Sequence, residues 1–214
     1  MKNINALKYS LGLMLPLLTW LSFTSKGWIT YLPLVYIFIL IPLIELFINT
    51  DKKNVSKTEE KNKLNNIIYD IQIYMMVPLQ LFTLAFFLVS MQETDILLSD
   101  KIGRIISMGL CCGVLGINIG HELGHRFKWY EKWMAKINLM TSLNMHFMHE
   151  HNNHHHKLVS TPEDPASAKF GEPLYFFWFR SISGVYVWSW KLEKERLKRD
   201  GISFFSIKHC HRIP

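Results

Sequence analysis

Ten histidines occur in this 214-residue chain, all of them beyond Lys101, and eight lie between His121 and His156. His121-Glu122-Leu123-Gly124-His125 puts two imidazoles at i and i+4, one turn apart on a helix face, a spacing suited to chelating one metal ion. Taken alone, this HExxH pattern is ambiguous. In a zinc protease Glu122 would be the general base, HELGH at a membrane helix is also how intramembrane zinc proteases look, and two surface histidines can fall at this spacing by chance.

The second cluster shifts the balance. His151, His155 and His156 form an HxxxHH pattern, with His146, His149 and His154 in the same stretch. If this stretch is helical, His151 and His155 share a face and His156 points about 100° away, so the group can serve one metal and reach toward a second. A zinc protease has no use for three further nitrogen ligands. Imidazole suits iron as well as zinc, and a histidine-rich site with open positions at a membrane boundary favours dioxygen chemistry at iron over hydrolysis. Histidine-rich tracts that store or sense metal are usually runs, whereas these residues are spaced.

The elements that must position these residues are apolar helices. Hydrophobic residues make up 49% of the chain and charged residues 19%. The apolar ones are concentrated in the first half, which excludes a disordered or fibrous chain. Apolar runs from Leu7 to Phe23, Gly27 to Ile48, Ile73 to Ser90 and Ile102 to Gly120 are each about the 17–25 residues a helix needs to cross a bilayer. Pro16, Pro33, Pro42 and Pro78 within them are tolerated in membrane helices. The start resembles a signal peptide, but no small-residue cleavage site follows, so it reads as a retained span. Three cysteines, two of them adjacent, build no disulfide framework.

Lys2 and Lys8 precede the first run, and Lys52, Lys53, Lys57, Lys61 and Lys63 crowd the second connection, whereas the first holds only Lys26 and the third is net acidic. The positive-inside rule then places both ends, the Lys-rich loop and the histidines in the cytoplasm. With the net charge of +7 divided in this way, nucleic acid is a poor explanation of the basic balance. The expected fold is an all-α integral membrane bundle, with four spans in residues 1–120 and a cytoplasmic helical histidine region in 121–214. Gly109, Gly113, Gly116, Gly120 and Gly124 recur along the fourth run and let another helix approach closely. Phe176 to Trp190, rich in aromatics, suggests an interfacial helix, with Glu193 to Arg199 its solvated continuation, ended by Gly201. Asp164, after Pro162, is expected to order its loop rather than to bind metal.

HELGHR at His121 to Arg126, followed by HFMHEHNNHHHKLVSTPEDPASAK at His146 to Lys169, closely resembles the first two histidine motifs of the integral-membrane alkane hydroxylases, a branch of the membrane di-iron fatty acid desaturase superfamily. TPEDPASA, Thr161 to Ala168, is the most specific piece and points to the hydroxylase branch rather than to desaturases. The likeness continues through EPLYFFWFRSISG and WKLEKERLKRDG. Carried over residue by residue, it implies His121 and His125 as iron ligands from the first motif and His151, His155 and His156 from the second. His154 stands where the family usually has a small residue and is not counted; His149 matches no family histidine, and His146 resembles a group behind the ligands.

The resemblance implies two irons, electrons from a rubredoxin fed by its reductase, and insertion of one oxygen atom of dioxygen into a terminal methyl of an alkane or other lipophilic substrate drawn from membrane lipid. It also implies a bacterial inner membrane, and it names no catalytic residue beyond the metal ligands, which leaves any such residue unknown. Family members continue for well over a hundred further residues, with two more spans and a final HxxHH-type box. The ending at Pro214, where His209 and His211 flank Cys210 without likeness to the family, therefore implies a C-terminal truncation and no alkane turnover by this chain alone. A lipid desaturase, an intramembrane zinc protease and an inactive remnant are the competing readings. Against the protease, the only Asp-Gly pair, Asp200-Gly201, lies in a basic stretch.

Overall fold

The computed structural model describes residues 12–48, 56–57 and 66–203. Seven helices make up these residues: α1 (Met14–Thr24), α2 (Gly27–Phe47), α3 (Ile67–Ser90), α4 (Leu98–Gly124), α5 (Trp129–Met140), α6 (147–158) and α7 (Leu174–Arg199). α2, α3 and α4 have 21, 24 and 27 residues. At about 1.5 Å per residue each reaches the ~30 Å thickness of a hydrocarbon core. Their outward side chains are apolar, with Phe38, Phe82 and Ile105 all more than half exposed. Among the described residues three helices, not four, are both long and apolar enough to span. α1 has only 11 residues and covers the second part of the first expected run, whose opening, Leu7 to Leu11, lies outside the described residues, as do Lys2, Lys8, Lys52, Lys53, Lys61 and Lys63.

Polar side chains inside the bundle set which helices meet. The Trp20 indole N–H donates to Thr83 Oγ1 at 2.9 Å, tying α1 to α3. At one end, Asp100 in the first turn of α4 accepts the Gly27 backbone N–H, and Gly27 takes a φ of +68°, a left-handed conformation that suits glycine. The buried Arg104 guanidinium donates to the carbonyls of Ser90 and Ser25 and to Glu93, gathering the α1–α2 and α3–α4 connections on one cation. At the other end the Asn66 side chain caps α3 by accepting the Ile68 N–H.

Midway along α4 the backbone widens into a π-helical stretch, Cys112–Asn118. Such widening leaves carbonyls without their usual partners. The Leu115 carbonyl receives the Asn138 amide of α5, and Gln80 of α3 donates to Thr141 beside it, so buried side chains absorb the irregularity. The glycine stripe of α4 divides in two. A Cβ on Gly116, Gly120 or Gly124 would meet Thr141, Leu139 or Met148, so α5, the turn after it and the start of α6 lie close against the lower half. At Gly109 and Gly113 no described atom lies within 4 Å of that position.

α7 is one helix through both the aromatic and the charged stretch, and it stops at Arg199, two residues before Gly201 with φ +65°. Val185, Ser189, Glu193 and Leu197, spaced every four residues, are its buried stripe. Tyr175, Phe179, Ile182 and Tyr186 on its outer side are at least half exposed.

Candidate metal centre

α4 runs unbroken through Gly120 and delivers His121 at its lower end, with His125 capping its last turn. α6 delivers the other cluster. His121 Nε2 lies 2.8 Å from His151 Nε2 and 3.0 Å from His125 Nε2, and His156 Nε2 lies 3.1 Å from His151 Nε2. A regular helix would turn His156 about 140° from His151. It does not, because residues His151–His155 form a π-turn. Its i→i+5 bonding sets His156, five residues on, beneath His151, so the expected divergence becomes a contact. Phe147 and His155 both stack on the His151 ring at centroid distances of 4.8 and 5.2 Å, which holds that ring in place.

The four Nε2 atoms form a chain 125–121–151–156 with three contacts. A neutral imidazole nitrogen offers either one proton or one lone pair, never both. Hydrogen bonding alone would force one proton to serve two lone pairs and one lone pair to receive two protons. A cation held by His121, His125 and His151, whose ligand atoms all lie within 4.8 Å of one another, removes that conflict, and His156 extends the cluster from His151. Two metal–nitrogen bonds of about 2.1 Å put their nitrogens ~3.0 Å apart at right angles and ~3.4 Å apart at tetrahedral angles. The observed 2.8–3.1 Å spacings match right angles, as in six-coordinate sites. The donor set therefore fits a metal of iron's coordination habit.

His155 stands apart from this chain. Its Nδ1 is 2.8 Å from Asp164 Oδ2, a carboxylate with no exposed side-chain surface. Asp164 Oδ1 also accepts the Ala166 N–H at 2.9 Å, and Oδ2 accepts the Ser167 hydroxyl at 2.5 Å. The loop is clamped from α7: Arg180 donates to the carbonyls of Pro165 and Ser167 and pairs with Glu172. His154 is buried and turned to Glu150, with Nδ1 to Oε1 at 3.1 Å, and its ring lies 4.0 Å from that of Trp188. His146 sits edge-on to Tyr186 at 5.3 Å, and its carbonyl receives the Ser189 hydroxyl.

Burial, reinforced by the neighbouring imidazoles, pushes His151 down to about 4, and burial lowers His146 as well. His151 therefore presents a lone pair at neutral pH, the form a metal requires. Burial raises the Glu150 carboxyl. Burial acts the same way on Asp164, but the bonds from Ser167, Ala166 and His155 outweigh it and hold Asp164 below its usual value, so it stays an anion facing His155.

Arg126, the last residue of HELGHR, pins this end of α4. It reaches Asp70 of α3 at 2.6 Å and Glu131 of α5 at 3.1 Å, and Glu131 also accepts the Tyr74 hydroxyl. Glu122, which a zinc hydrolase would use as base, is 3.6 Å from the same guanidinium. A cleft of about 790 Å³ between α3 and α4 is walled by Ile73, Met76, Val114, Leu115 and Ile119, and it closes on Glu122, His125 and Arg126.

The sequence matches the family model described as "Fatty acid desaturase" over residues 102–212, just over half of the chain. The chain belongs to the fatty acid desaturase family. Within the sequences similar to this desaturase-family chain, alkane 1-monooxygenases predominate. It is 33% identical over 186 residues to alkane 1-monooxygenase 1 of Alcanivorax borkumensis, an alignment covering 86% of this chain and 46% of that one. It is 34% identical over 193 residues to alkane 1-monooxygenase of Ectopseudomonas oleovorans (88% and 47%), and 36% identical over 170 residues to alkane 1-monooxygenase of Acinetobacter baylyi (78% and 41%). The chain spans about half the length of the curated relatives it matches. The resemblance read from the histidine motifs and TPEDPASA is thus borne out.

Of the five histidines singled out in this desaturase-family chain, the structure gathers His121, His125, His151 and His156 through their Nε2 atoms and sets His155 beside them on Asp164. Asp164 does order its loop as expected. Its bond to His155 and the Arg180 clamp have no spacing signal in the sequence, because each partner is separated by a turn or a loop with no fixed spacing; the Glu150–His154 pair does carry one, the helical i, i+4 spacing. For Asp164 the one available signal was an acid inside a Pro-flanked turn shortly after a histidine pair. The His149 side chain and residues His209, Cys210 and His211 lie outside the described residues.

Proposed function

We propose that this protein is a membrane non-haem di-iron monooxygenase that hydroxylates terminal methyl groups of alkanes. His121, His125, His151, His155 and His156 are its iron ligands, in a bacterial inner membrane with the histidine region (121–214) facing the cytoplasm below a four-span membrane part (1–120). The carrying observation is the chain of four imidazole nitrogens spaced 2.8–3.1 Å apart at the foot of α4. Alkane 1-monooxygenases among the relatives support the substrate class. So does the cleft, whose wall along Ile73, Met76, Val114, Leu115 and Ile119 is apolar, while the Arg126 guanidinium at its end is committed to Asp70 and Glu131.

When bound, iron supplies dioxygen activation, a step no side chain here can perform. What the chain's own residues do is bind, orient and exclude. The wall from Ile73 to Ile119 accepts an alkyl chain and directs its end toward His125, while Arg126 holds the end of α4 against α3 and α5 so that His121 and His125 keep their positions. Phe147 and His155 keep the His151 ring in place. Electrons come from a rubredoxin and its reductase on the side where α6 and α7 lie.

Elemental analysis of the purified membrane protein tests the site: iron is expected in stoichiometric amount, falling in His121→Ala and His151→Ala. Stoichiometric zinc without iron would sink the reading in favour of hydrolysis. For the reaction, residues 102–203 exchanged into the matching stretch of the Alcanivorax relative should leave alcohol formation from octane intact and dependent on His151. A folded, iron-loaded chimera that forms no alcohol would refute the substrate assignment.

A further inference from the structure

Nothing in HxxxHH explains why its middle histidine is not part of the Nε2 chain. His155 is tied by Nδ1 to Asp164 at 2.8 Å, and a ring that donates through Nδ1 keeps its lone pair on Nε2. An aspartate with several acceptor sites would ordinarily turn with solvent, but this one is immobilised. Its side chain is wholly buried, and it takes the Ala166 N–H on one oxygen and the Ser167 hydroxyl on the other. Ser167 in turn accepts the Ser160 N–H across the mouth of the loop at 2.8 Å. The loop itself is fastened to α7 by the Arg180 bonds to Pro165 and Ser167. α7 comes so close at Gly184 that a Cβ there would collide with Pro165. Together these bonds fix the loop around one carboxylate, whose Oδ2 faces one imidazole.

We infer that Asp164 is the positioning residue of the metal centre: it fixes His155 as the Nδ1–H tautomer and aims its Nε2 lone pair, and the TPEDPASA loop with its Arg180 clamp exists to hold Asp164 still. The inference rests on the reading of His155 as a metal ligand. Asp164 acts on the centre through His155, since the oxygen that faces the imidazole also accepts the Ser167 hydroxyl. Carboxylates that orient a metal-bound imidazole raise its basicity and lock its rotation, and their loss commonly weakens metal binding by about 10–100-fold.

The test uses the full chain in detergent, metal-free, with its histidine rings labelled with ¹⁵N. Above the ordinary histidine titration range, nitrogen shifts separate the two neutral tautomers. The His155 signals, assigned by their loss in His155→Gln, should report Nδ1–H in the parent and shift toward Nε2–H in Asp164→Ala, with Asp164→Glu restoring the parent pattern. Fe(II) titration alone should show affinity reduced about 10–100-fold in Asp164→Ala, less in Ser167→Ala, and largely recovered in Asp164→Glu. A purely structural role would lower stability without moving one ring's tautomer. Should Asp164→Ala fail to fold, Asp164→Asn, which keeps the acceptor but loses the charge, takes its place and should fall between. An unchanged His155 tautomer with Fe(II) affinity within twofold of the parent would overturn the inference. A tautomer that shifts while His155→Ala leaves Fe(II) affinity untouched would instead refute the ligand reading on which it rests.

Discussion

Replacing Gly120 by Ala tests whether the site is held by close approach of α5 to α4. A Cβ at this position would lie 2.7 Å from Leu139 Cγ, 3.1 Å from its Cδ2 and 3.3 Å from the Ala135 carbonyl oxygen. Carbon atoms prefer about 3.5–4.0 Å. Leu139 is fully buried and the nearest atom is its branch point rather than a mobile tip, so either its rotamer or the helix must move. Overpacking of this kind costs about 1–3 kcal/mol, while replacing a mid-helix glycine returns about 0.5–1 kcal/mol, for a net loss of about 0.5–2 kcal/mol. Gly109→Ala is the internal control. With no described atom within 4 Å, only the helix gain of about 0.5–1 kcal/mol operates, and the sign reverses. The loss at Gly120 should also reach the metal. The Leu139 carbonyl holds the Asn144 N–H in the turn leading to α6, so displacing Leu139 shifts His151 against His121. Denaturant unfolding in micelles followed by circular dichroism, with Fe(II) titration alongside, measures both. Equal stability of the two variants and equal iron affinity would refute the argument that this contact seats the site.

Arg126→Met strands Glu131, which is 3% exposed, beside Asp70, and should destabilise the protein by about 3 kcal/mol; adding Glu131→Gln should recover much of that, and a double variant no better than the single one would argue against an ion-pair cause. Arg180, then the Lys169 N–H, hold the Glu172 carboxyl at about 2, below its ordinary 4.5. A depressed acid stabilises the fold fully above its unfolded value and loses that contribution as pH falls toward the folded one, so protease resistance of the 160–172 loop should decline between about pH 4.5 and 2. Arg180→Met should abolish that dependence, and an unchanged profile would detach the clamp from Glu172. Gly201→Ala, at φ +65°, should cost about 1 kcal/mol and fray the end of α7, seen as faster amide exchange over Arg196 to Asp200; unaltered exchange would show that the helix stops for another reason.

The apolar runs of α2, α3 and α4 were legible because a helix that must satisfy its own backbone in hydrocarbon needs only length and apolar side chains, both local properties. The i, i+4 pair His121 and His125 was legible for the same reason, since a helical period suffices to put two side chains on one face. Local period misled at His156, where a π-turn replaces the α-helical 100° step and returns the ring to His151. Whether that turn forms depends on what takes up the altered bonding around it, and the sequence of α6 does not state this. The glycine stripe reads uniformly in sequence, yet among the described residues only Gly116, Gly120 and Gly124 meet a neighbour, because α5 and the start of α6 fold back along the lower half of α4. The pairing of Asp164 with His155, the seating of the His154 ring against Trp188 and the Arg180 bonds to the loop belong to tertiary structure, whereas Glu150 and His154 meet at the helical i, i+4 spacing. Residue types in the sequence name possible donors and acceptors, but which pairs form is decided by the burial that leaves each polar atom one partner within reach.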